Sequence, residues 1–132
     1  DIREVTLPIG ATMHMEGSAM AAILKIVFLF SIFGKPFNDI YTIGTAILIA
    51  VLSAVVMSGI PGGGLIGEML IVSLYGFPPE AFAIIATIGW LVDPPATCLN
   101  VTGDSVSAML TTRLVEGKNW IKKKQKKVPV SM

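Results

Sequence analysis

The sequence predicts an all-α membrane protein in which a broken transmembrane helix, a re-entrant helical hairpin and a second broken transmembrane helix follow one another. Of the 132 residues, 53% are hydrophobic and only 14% are charged, whereas soluble proteins average about 25% charged residues. Clusters of glycine, proline and polar residues divide the apolar sequence, and such clusters break helices. Together these observations predict interrupted helices in a bilayer.

The first apolar region is predicted to be one spanning helix that is broken near its middle. Residues 7–12 and 17–33 are almost wholly apolar, and together they are long enough to cross about 30 Å of hydrocarbon. The break lies around residues 12–17. Residues 34–39 contain glycine, proline, asparagine and aspartate and predict an aqueous loop.

The second region, residues 40–74, is predicted to be a hairpin. Its centre, Ser58 to Gly64, holds four glycines and a proline, which disfavour a continuous helix. The arms, roughly Ile43 to Met57 and Leu65 to Leu74, are short for a full crossing. We therefore expect a re-entrant hairpin with both ends on one side of the membrane.

The last region begins after a loop at residues 75–80. An apolar helix over residues 81–92 meets Asp93-Pro94-Pro95. An aspartate before a proline is typical of a helix start, because the carboxylate accepts free N–H groups and proline needs no donor at the first helical position. We therefore expect the helix to restart at Asp93, inside the membrane, and to run to about Glu116.

A polar stripe follows this helix at spacings of four and three residues, which place its members on one face. Its members are Asp93, Thr97, Asn100, Asp104, Ser107 and Thr111. Aspartates inside a membrane need cations, partners or water. Together with the carbonyls freed at residues 12–17 and the backbone of the hairpin tip, the stripe predicts an oxygen-lined site for a hard cation such as sodium. The alternatives are an amphipathic helix facing the cytosol and a tip that is merely a flexible loop.

The C-terminal lysines predict the orientation. They are Lys122, Lys123, Lys124, Lys126 and Lys127, and lysine-rich flanks stay in the cytosol. This divides the chain into a transport-domain part, residues 1–118, and a basic cytoplasmic tail, residues 119–132, with Trp120 as an interfacial anchor. Both ends are then cytoplasmic and the hairpin enters from outside. Lys25 either snorkels or pairs with a carboxylate, and Glu68 has no assigned role.

Three segments of the chain form recognisable motifs. Residues 7–18 read Leu-Pro-Ile-Gly-Ala-Thr-Met-His-Met-Glu-Gly-Ser, residues 59–64 are the glycine-rich tip, and residues 100–104 read Asn-Val-Thr-Gly-Asp. They resemble the dicarboxylate/amino acid:cation symporters, a family that includes the glutamate transporters. Its seventh helix has Leu-Pro-x-Gly-Ala-Thr-x-Asn-Met-Asp-Gly-Thr, its second hairpin has the tip Gly-Val-Pro-Gly-Ala-Gly, and its eighth helix has Asn-Val-Thr-Gly-Asp unchanged. The resemblance covers residues 6–116 and leads us to expect six further helices and another hairpin upstream.

The resemblance also implies a site. Asp93 would bind the substrate amino group and Asn100 its α-carboxylate. The other implied substrate-binding residues are Thr97, Ser18, Ile60 and Gly64. One sodium site would use Asp104 with the backbone carbonyls of Gly10, His14 and Asn100. A second would use the backbone carbonyls of Thr12, Ala54, Val55 and Met57 beside the Met15 sulfur. Glu16 replaces a carboxylate ligand of a third sodium.

The implied function is sodium-coupled symport of an amino acid by a homotrimer in the cell (inner) membrane, with the lipid bilayer and the substrate as partners and sodium as the coupling ion. Neither an organic cofactor nor a nucleic-acid partner is expected. The hairpin would act as the gate.

Two departures from the family pattern modify this expectation. Acidic-substrate members carry an arginine that pairs the side-chain carboxylate, and Ala96 stands there. Without that guanidinium a buried substrate carboxylate would be unpaired, so we expect a neutral amino acid. The second departure is His14 with Glu16, a pair that either carries a proton in place of one sodium or only remodels the hydrogen bonds.

Other function classes fit less well. The segment 101–104 lacks the first glycine of intramembrane aspartyl proteases, and the sequence has neither a His-Glu-x-x-His zinc motif nor the lysine of a phosphate-binding loop. The single cysteine, Cys98, excludes an internal disulfide. We therefore expect no enzyme. A dicarboxylate symporter of the same family and an accessory membrane subunit remain the alternatives.

Overall fold

A computed structural model describes residues 2–59 and 61–125, and within these ranges the chain is helical with no strand. Predictions for Ile60, Lys126 and Lys127 lie outside the described residues. The described helices are α1 (Ile2–Met13), α2 (Glu16–Ile32), α3 (Ile40–Gly59), α4 (Gly63–Leu74), α5 (Glu80–Glu116) and α6 (Trp120–Gln125). The all-α class is confirmed.

Three segments are long and apolar enough to cross a membrane. They are Glu4–Ile32 with 29 residues, Ile40–Ser58 with 19 and Glu80–Glu116 with 37. The first contains the predicted break, since α1 ends at Met13 and α2 begins at Glu16. The chain therefore has the helices of a multi-pass membrane protein, and the first interruption lies where the sequence predicts it.

The hairpin consists of α3 and α4 joined by a tight tip. Gly62 has φ of +76°, a conformation that glycine adopts without steric cost. A β-carbon on Gly63 would lie 2.7 Å from the Val56 carbonyl oxygen and 2.8 Å from the Met57 α-carbon, so only a glycine lets the arms approach this closely. At the base, the Tyr75 hydroxyl donates to the Thr42 carbonyl at 3.0 Å. Both ends of the hairpin therefore lie together, as predicted.

The expected lengths of the two arms are only partly right. With 12 residues, α4 is about 18 Å long and too short to span a bilayer. With 20 residues, α3 is about 30 Å long. It exceeds the predicted arm at both ends, since it begins at Ile40 and ends at Gly59. At its start, Asp39 accepts hydrogen bonds from the backbone N–H groups of Tyr41 and Thr42 at 3.0 and 2.9 Å.

The same contacts set the acidity of Asp39. The hydrogen bond from the Thr42 side chain, followed by those from the backbone of Tyr41 and Thr42, holds the pKa of Asp39 below its usual value. The carboxylate therefore supports the start of α3 at neutral pH. This support is lost as the pH falls through the lowered pKa.

The apolar core lies near the hairpin base, where α2, α3, α4 and the start of α5 meet. Phe30 is at its centre and makes edge-to-face contacts with Phe37, Tyr75 and Phe77 at centroid distances of 5.2, 4.9 and 5.3 Å. Such ring pairs stabilise packing beyond the area they bury. This core holds the ends of α2, α3 and α4 together and leaves the tip at the opposite end.

The predicted second break is wrong, since α5 is one continuous helix from Glu80 to Glu116 with Pro94 and Pro95 inside it. Among the described residues no backbone N–H donates to the Asp93 carboxylate, so Asp93 does not cap a new helix. Proline φ values suit a helix, but the two prolines leave the carbonyls of Trp90 and Leu91 without their usual donors, and each ring crowds the carbonyl four residues before it. The helical hydrogen bonds before and after the two prolines keep α5 continuous.

A close contact between helix backbones leads to a stability prediction. A β-carbon on Gly17 would overlap the backbone carbonyl of Ala96, and neither backbone can move without shifting a helix. We expect Gly17→Ala to destabilise the intact protein by about 1–3 kcal/mol.

The matched control is Gly44→Ala in α3, where a β-carbon meets nothing within 4 Å. Alanine favours a helix over glycine, so we expect this variant to raise the free energy of unfolding by about 0.5–1 kcal/mol. Thermal unfolding of the detergent-solubilised protein measures both. Equal midpoints for the two variants would contradict this packing.

Candidate functional site

A cavity of about 790 Å³ lies between the break of α1 and α2, the hairpin tip and the polar face of α5. Its walls bring together most of the substrate-binding residues predicted from the sequence. These are Asp93, Thr97, Asn100, Ser18 and Gly64. The walls also contain five of the predicted sodium ligands, namely Asn100 again, together with Asp104, His14, Met15 and Met57. The three motifs, which are far apart in the sequence, therefore meet around one space.

Asn100 joins α5 to the start of α2. Its Oδ1 accepts a hydrogen bond from the Gly17 N–H at 2.8 Å, and its Nδ2 donates to Ser18 Oγ at 3.0 Å and contacts Met15 Sδ at 3.7 Å. Met15, at the N-cap of α2, provides no side-chain cap. Asn100 therefore satisfies a free N–H of the first turn from a different helix. This capping role is additional to the substrate role predicted for Asn100.

Asp104 presents an oxygen suited to a cation. Its Oδ1 is buried and has no hydrogen-bond partner among the described residues. A β-carbon on Gly10 would lie 2.6 Å from that oxygen, so the glycine lets α1 approach the carboxylate. A buried carboxylate oxygen without a donor is unfavourable unless a cation binds it. The contact also places Gly10, a predicted ligand of the same sodium, beside Asp104.

The described residues contain no group of three or more histidine, cysteine, aspartate or glutamate side chains able to hold a metal ion. A zinc-type site of such side chains is therefore absent from this part of the chain. Backbone carbonyls together with one carboxylate suit sodium, which prefers oxygen ligands. Among these carbonyls, that of Gly10 already accepts the His14 N–H at 2.7 Å, and its second lone pair is free for an ion.

His14 and Glu16 lie together at the break. His14 Nδ1 is 3.4 Å from Glu16 Oε2, without the geometry of a hydrogen bond. A β-carbon on Gly103 would overlap Glu16 Oε1 and lie 2.9 Å from His14 Nδ1. The pair therefore packs on a glycine of α5, beside Asp104. Both roles considered for the pair, proton carrier and remodelled hydrogen bonds, stay predictions.

A second cavity of about 590 Å³ lies on another side of the same break. Its lining includes most of the second predicted sodium set, namely Thr12, Met15, Ala54 and Val55, together with Glu16. Met57 lines the larger cavity instead. His14 and Met15 line both cavities, so the interrupted helix separates the two spaces.

A buried ion pair, for which the sequence had suggested only that Lys25 snorkels or pairs with a carboxylate, also lines the larger cavity. Lys25 Nζ donates to Glu68 Oε1 at 2.7 Å, and the two side chains are 6% and 5% exposed. A β-carbon on Gly89 would overlap that oxygen and lie 3.2 Å from the ammonium. Gly89 therefore provides the space for the pair, one helical turn before Asp93 on α5.

Ala96, which stands where acidic-substrate members have arginine, is 6% exposed. Its backbone packs on Gly17, so the position belongs to the contact between α5 and α2. Arginine is thus absent at this point of the site, and the cation in the cavity wall, Lys25, is already paired with Glu68.

Comparison with known proteins identifies the family of the chain. The profile of the sodium:dicarboxylate symporter family matches residues 1–114. The chain belongs to this family. The family assignment made from the three motifs is therefore confirmed, and with it the prediction that the chain is part of a transport protein and not an enzyme.

The chain is similar to curated transporters of this family. It is 34% identical over 115 residues to the neutral amino acid transporter B(0) of Homo sapiens, covering 87% of this chain and 21% of that protein. It is 33% identical over 113 residues to the human excitatory amino acid transporter 2, covering 86% and 20%. The chain thus spans about one fifth of these relatives. No solved structure matches it.

Proposed function

We infer that the intact protein is a sodium-coupled symporter that carries a neutral amino acid across the cell membrane, and that this chain supplies its substrate and ion sites. The observation that supports this most directly is the cavity, in which a broken helix, a glycine-rich hairpin tip and Asp104 with its unpartnered oxygen meet. Secondary transporters build their sites from such helix interruptions. Relatives are named for neutral and for excitatory amino acids, so the names alone do not decide the substrate.

Charge in the cavity wall favours the neutral substrate. Asp93 and Asp104 are acidic, and the one lysine of the wall, Lys25, is already neutralised by Glu68. A substrate side-chain carboxylate would lose its hydration and meet no unpaired lysine or arginine among the described residues of the wall. The substrate ammonium suits Asp93, and sodium suits Asp104 with the carbonyls of Gly10, His14 and Asn100.

The remaining roles are proposed with the site. Asn100, Thr97 and Ser18 contact the substrate, and the hairpin backbone at Gly64, with that at Ile60, closes over it. A second sodium binds among the carbonyls of Thr12, Ala54, Val55 and Met57, with Met15 and Glu16 nearby. The intact protein is a homotrimer in the cell membrane, and both ends of this chain face the cytoplasm.

Uptake by the intact protein in proteoliposomes tests this function. We expect an inward sodium gradient to drive uptake of serine, threonine or alanine, and aspartate to compete at least about tenfold more weakly, since an unpaired buried carboxylate is unfavourable by more than the 1.4 kcal/mol that tenfold requires. Potassium in place of sodium is the control. Preference for aspartate would contradict the neutral substrate, and absence of sodium-driven uptake would contradict the symporter.

A further inference from the structure

We propose that the Lys25–Glu68 ion pair recognises the side chain of the substrate and selects amino acids whose side chain both donates and accepts a hydrogen bond, namely those with a hydroxyl or a primary amide. This inference rests on the proposed amino-acid transport. It assigns a specificity role to two residues that lie outside the three motifs of the resemblance.

The ion pair lies close to the place proposed for the substrate amino group. Gly89, Lys25 and Glu68 line the same cavity as Asp93, and Gly89 contacts the pair one turn of α5 before Asp93. Four residues of helix rise about 6 Å. A substrate whose amino group lies at Asp93 therefore has its side chain within reach of the pair when it extends along α5 toward Gly89.

The ion pair has hydrogen-bonding groups that the protein does not use. Glu68 Oε1 accepts from Lys25, while Glu68 Oε2 has no partner among the described residues, although the side chain is 95% buried. The ammonium has three N–H donors, and one of them is used in this hydrogen bond. The pair thus offers one free acceptor and further donors, which a hydroxyl or an amide group complements.

The pair selects among substrates because an apolar substrate side chain leaves its free donors and acceptor without hydrogen-bond partners. An apolar side chain in the same place would exclude water and leave a buried carboxylate oxygen without a partner. A hydrogen bond to a charged group raises affinity by about one order of magnitude or more. A site built to bind a hydroxyl or an amide rejects isosteric substrates that lack it. A carboxylate side chain is disfavoured too, because Glu68 repels it.

Wild-type intact protein provides the first test. Threonine and valine have the same shape, as do serine and 2-aminobutyrate, and asparagine and leucine are close in size. We expect sodium-driven uptake with kcat/KM at least about tenfold higher for the polar member of each pair. Uptake of both members with equal kcat/KM would overturn the inference and leave the symporter function standing, whereas no amino-acid uptake at all would contradict the proposed function.

Two variants test whether the ion pair is the source of this selectivity. In the double variant Lys25→Met with Glu68→Met, the polar groups are replaced by apolar chains of similar length. We expect the threonine-to-valine ratio to fall by at least about tenfold. In Gly89→Ala both charges remain, but the new methyl group displaces the flexible end of Glu68, and we expect a smaller fall in the same ratio.

Tyr75→Phe is the matched control, because it removes a hydrogen bond at the hairpin base and leaves the cavity wall unchanged. If the ion pair only fastened the hairpin, all three variants would change KM for every substrate in parallel and the ratio would stay constant. A constant threonine-to-valine ratio in the double variant would therefore overturn the inference.

Discussion

Asp104→Asn in the intact protein is expected to abolish sodium-coupled amino-acid uptake while leaving membrane insertion intact. The buried Oδ1 of Asp104 has no hydrogen-bond donor among the described residues, so the charge is available to an ion. Two unit charges about 4 Å apart attract by about 4 kcal/mol at an effective dielectric constant of 20. Removing one of them lowers sodium affinity by roughly three orders of magnitude. The sodium concentration outside a cell would then no longer saturate the site.

Asp39→Asn is the matched control, because it makes the same chemical change in the loop before α3, away from both cavities, and asparagine caps a helix as well as aspartate does. Uptake into proteoliposomes and the sodium dependence of substrate-induced thermal stabilisation measure the two variants. We expect Asp39→Asn to behave as wild type. Unaltered uptake by Asp104→Asn would instead favour an accessory subunit that does not bind the coupling ion.

Features that follow from short sequence patterns could be predicted. The interruption between Met13 and Glu16 and the tip between α3 and α4 depend on which residues break a helix locally. The polar stripe depends only on helical periodicity, and it predicted that Asp93, Thr97, Asn100 and Asp104 share one side of α5. The structure adds that this side meets the break in α1 and α2 across the larger cavity.

Continuity of α5 could not be predicted in the same way. Asp93-Pro94-Pro95 is a good helix start, but the same residues also fit a helix interior, where proline costs about 3 kcal/mol. Which conformation is adopted depends on packing around the segment, including the contact of the Ala96 carbonyl with Gly17. That contact joins residues far apart in the sequence, so neither the helix start signal nor the cost of proline in a helix could reveal it.

Contacts between residues far apart in the chain also could not be predicted from the sequence. Asn100 caps α2 from 83 residues away, and the only local sign is that Met15 lacks a capping group. Lys25 and Glu68 are 43 residues apart. Each stands out as a charge within an apolar segment, and the sequence suggested a carboxylate partner for Lys25 as one of two possibilities. Only the packing of α2 against α4 shows which carboxylate it is.

Breaking this ion pair is expected to cause the largest loss of stability among the substitutions considered. Lys25→Met alone and Glu68→Met alone each leave a charge without its partner in a site that is 5–6% exposed, and removing one member of a buried pair costs about 3–5 kcal/mol. The double variant removes both charges, and replacing a buried pair by apolar side chains is commonly neutral or stabilising. We therefore expect it to unfold near the wild-type midpoint.

Thermal unfolding of wild type, the two single variants and the double variant in detergent forms a double-mutant cycle. Thr112→Val in α5 is the control, because Thr112 is a buried polar residue, 2% exposed, outside the cavity wall. Additive losses in the double variant would mean that the two side chains do not stabilise each other. Recovery in the double variant has a further consequence: apolar side chains would then serve stability as well as the charges do. The presence of charges would need another cause, and the free acceptor and donors that the pair offers to a substrate provide one.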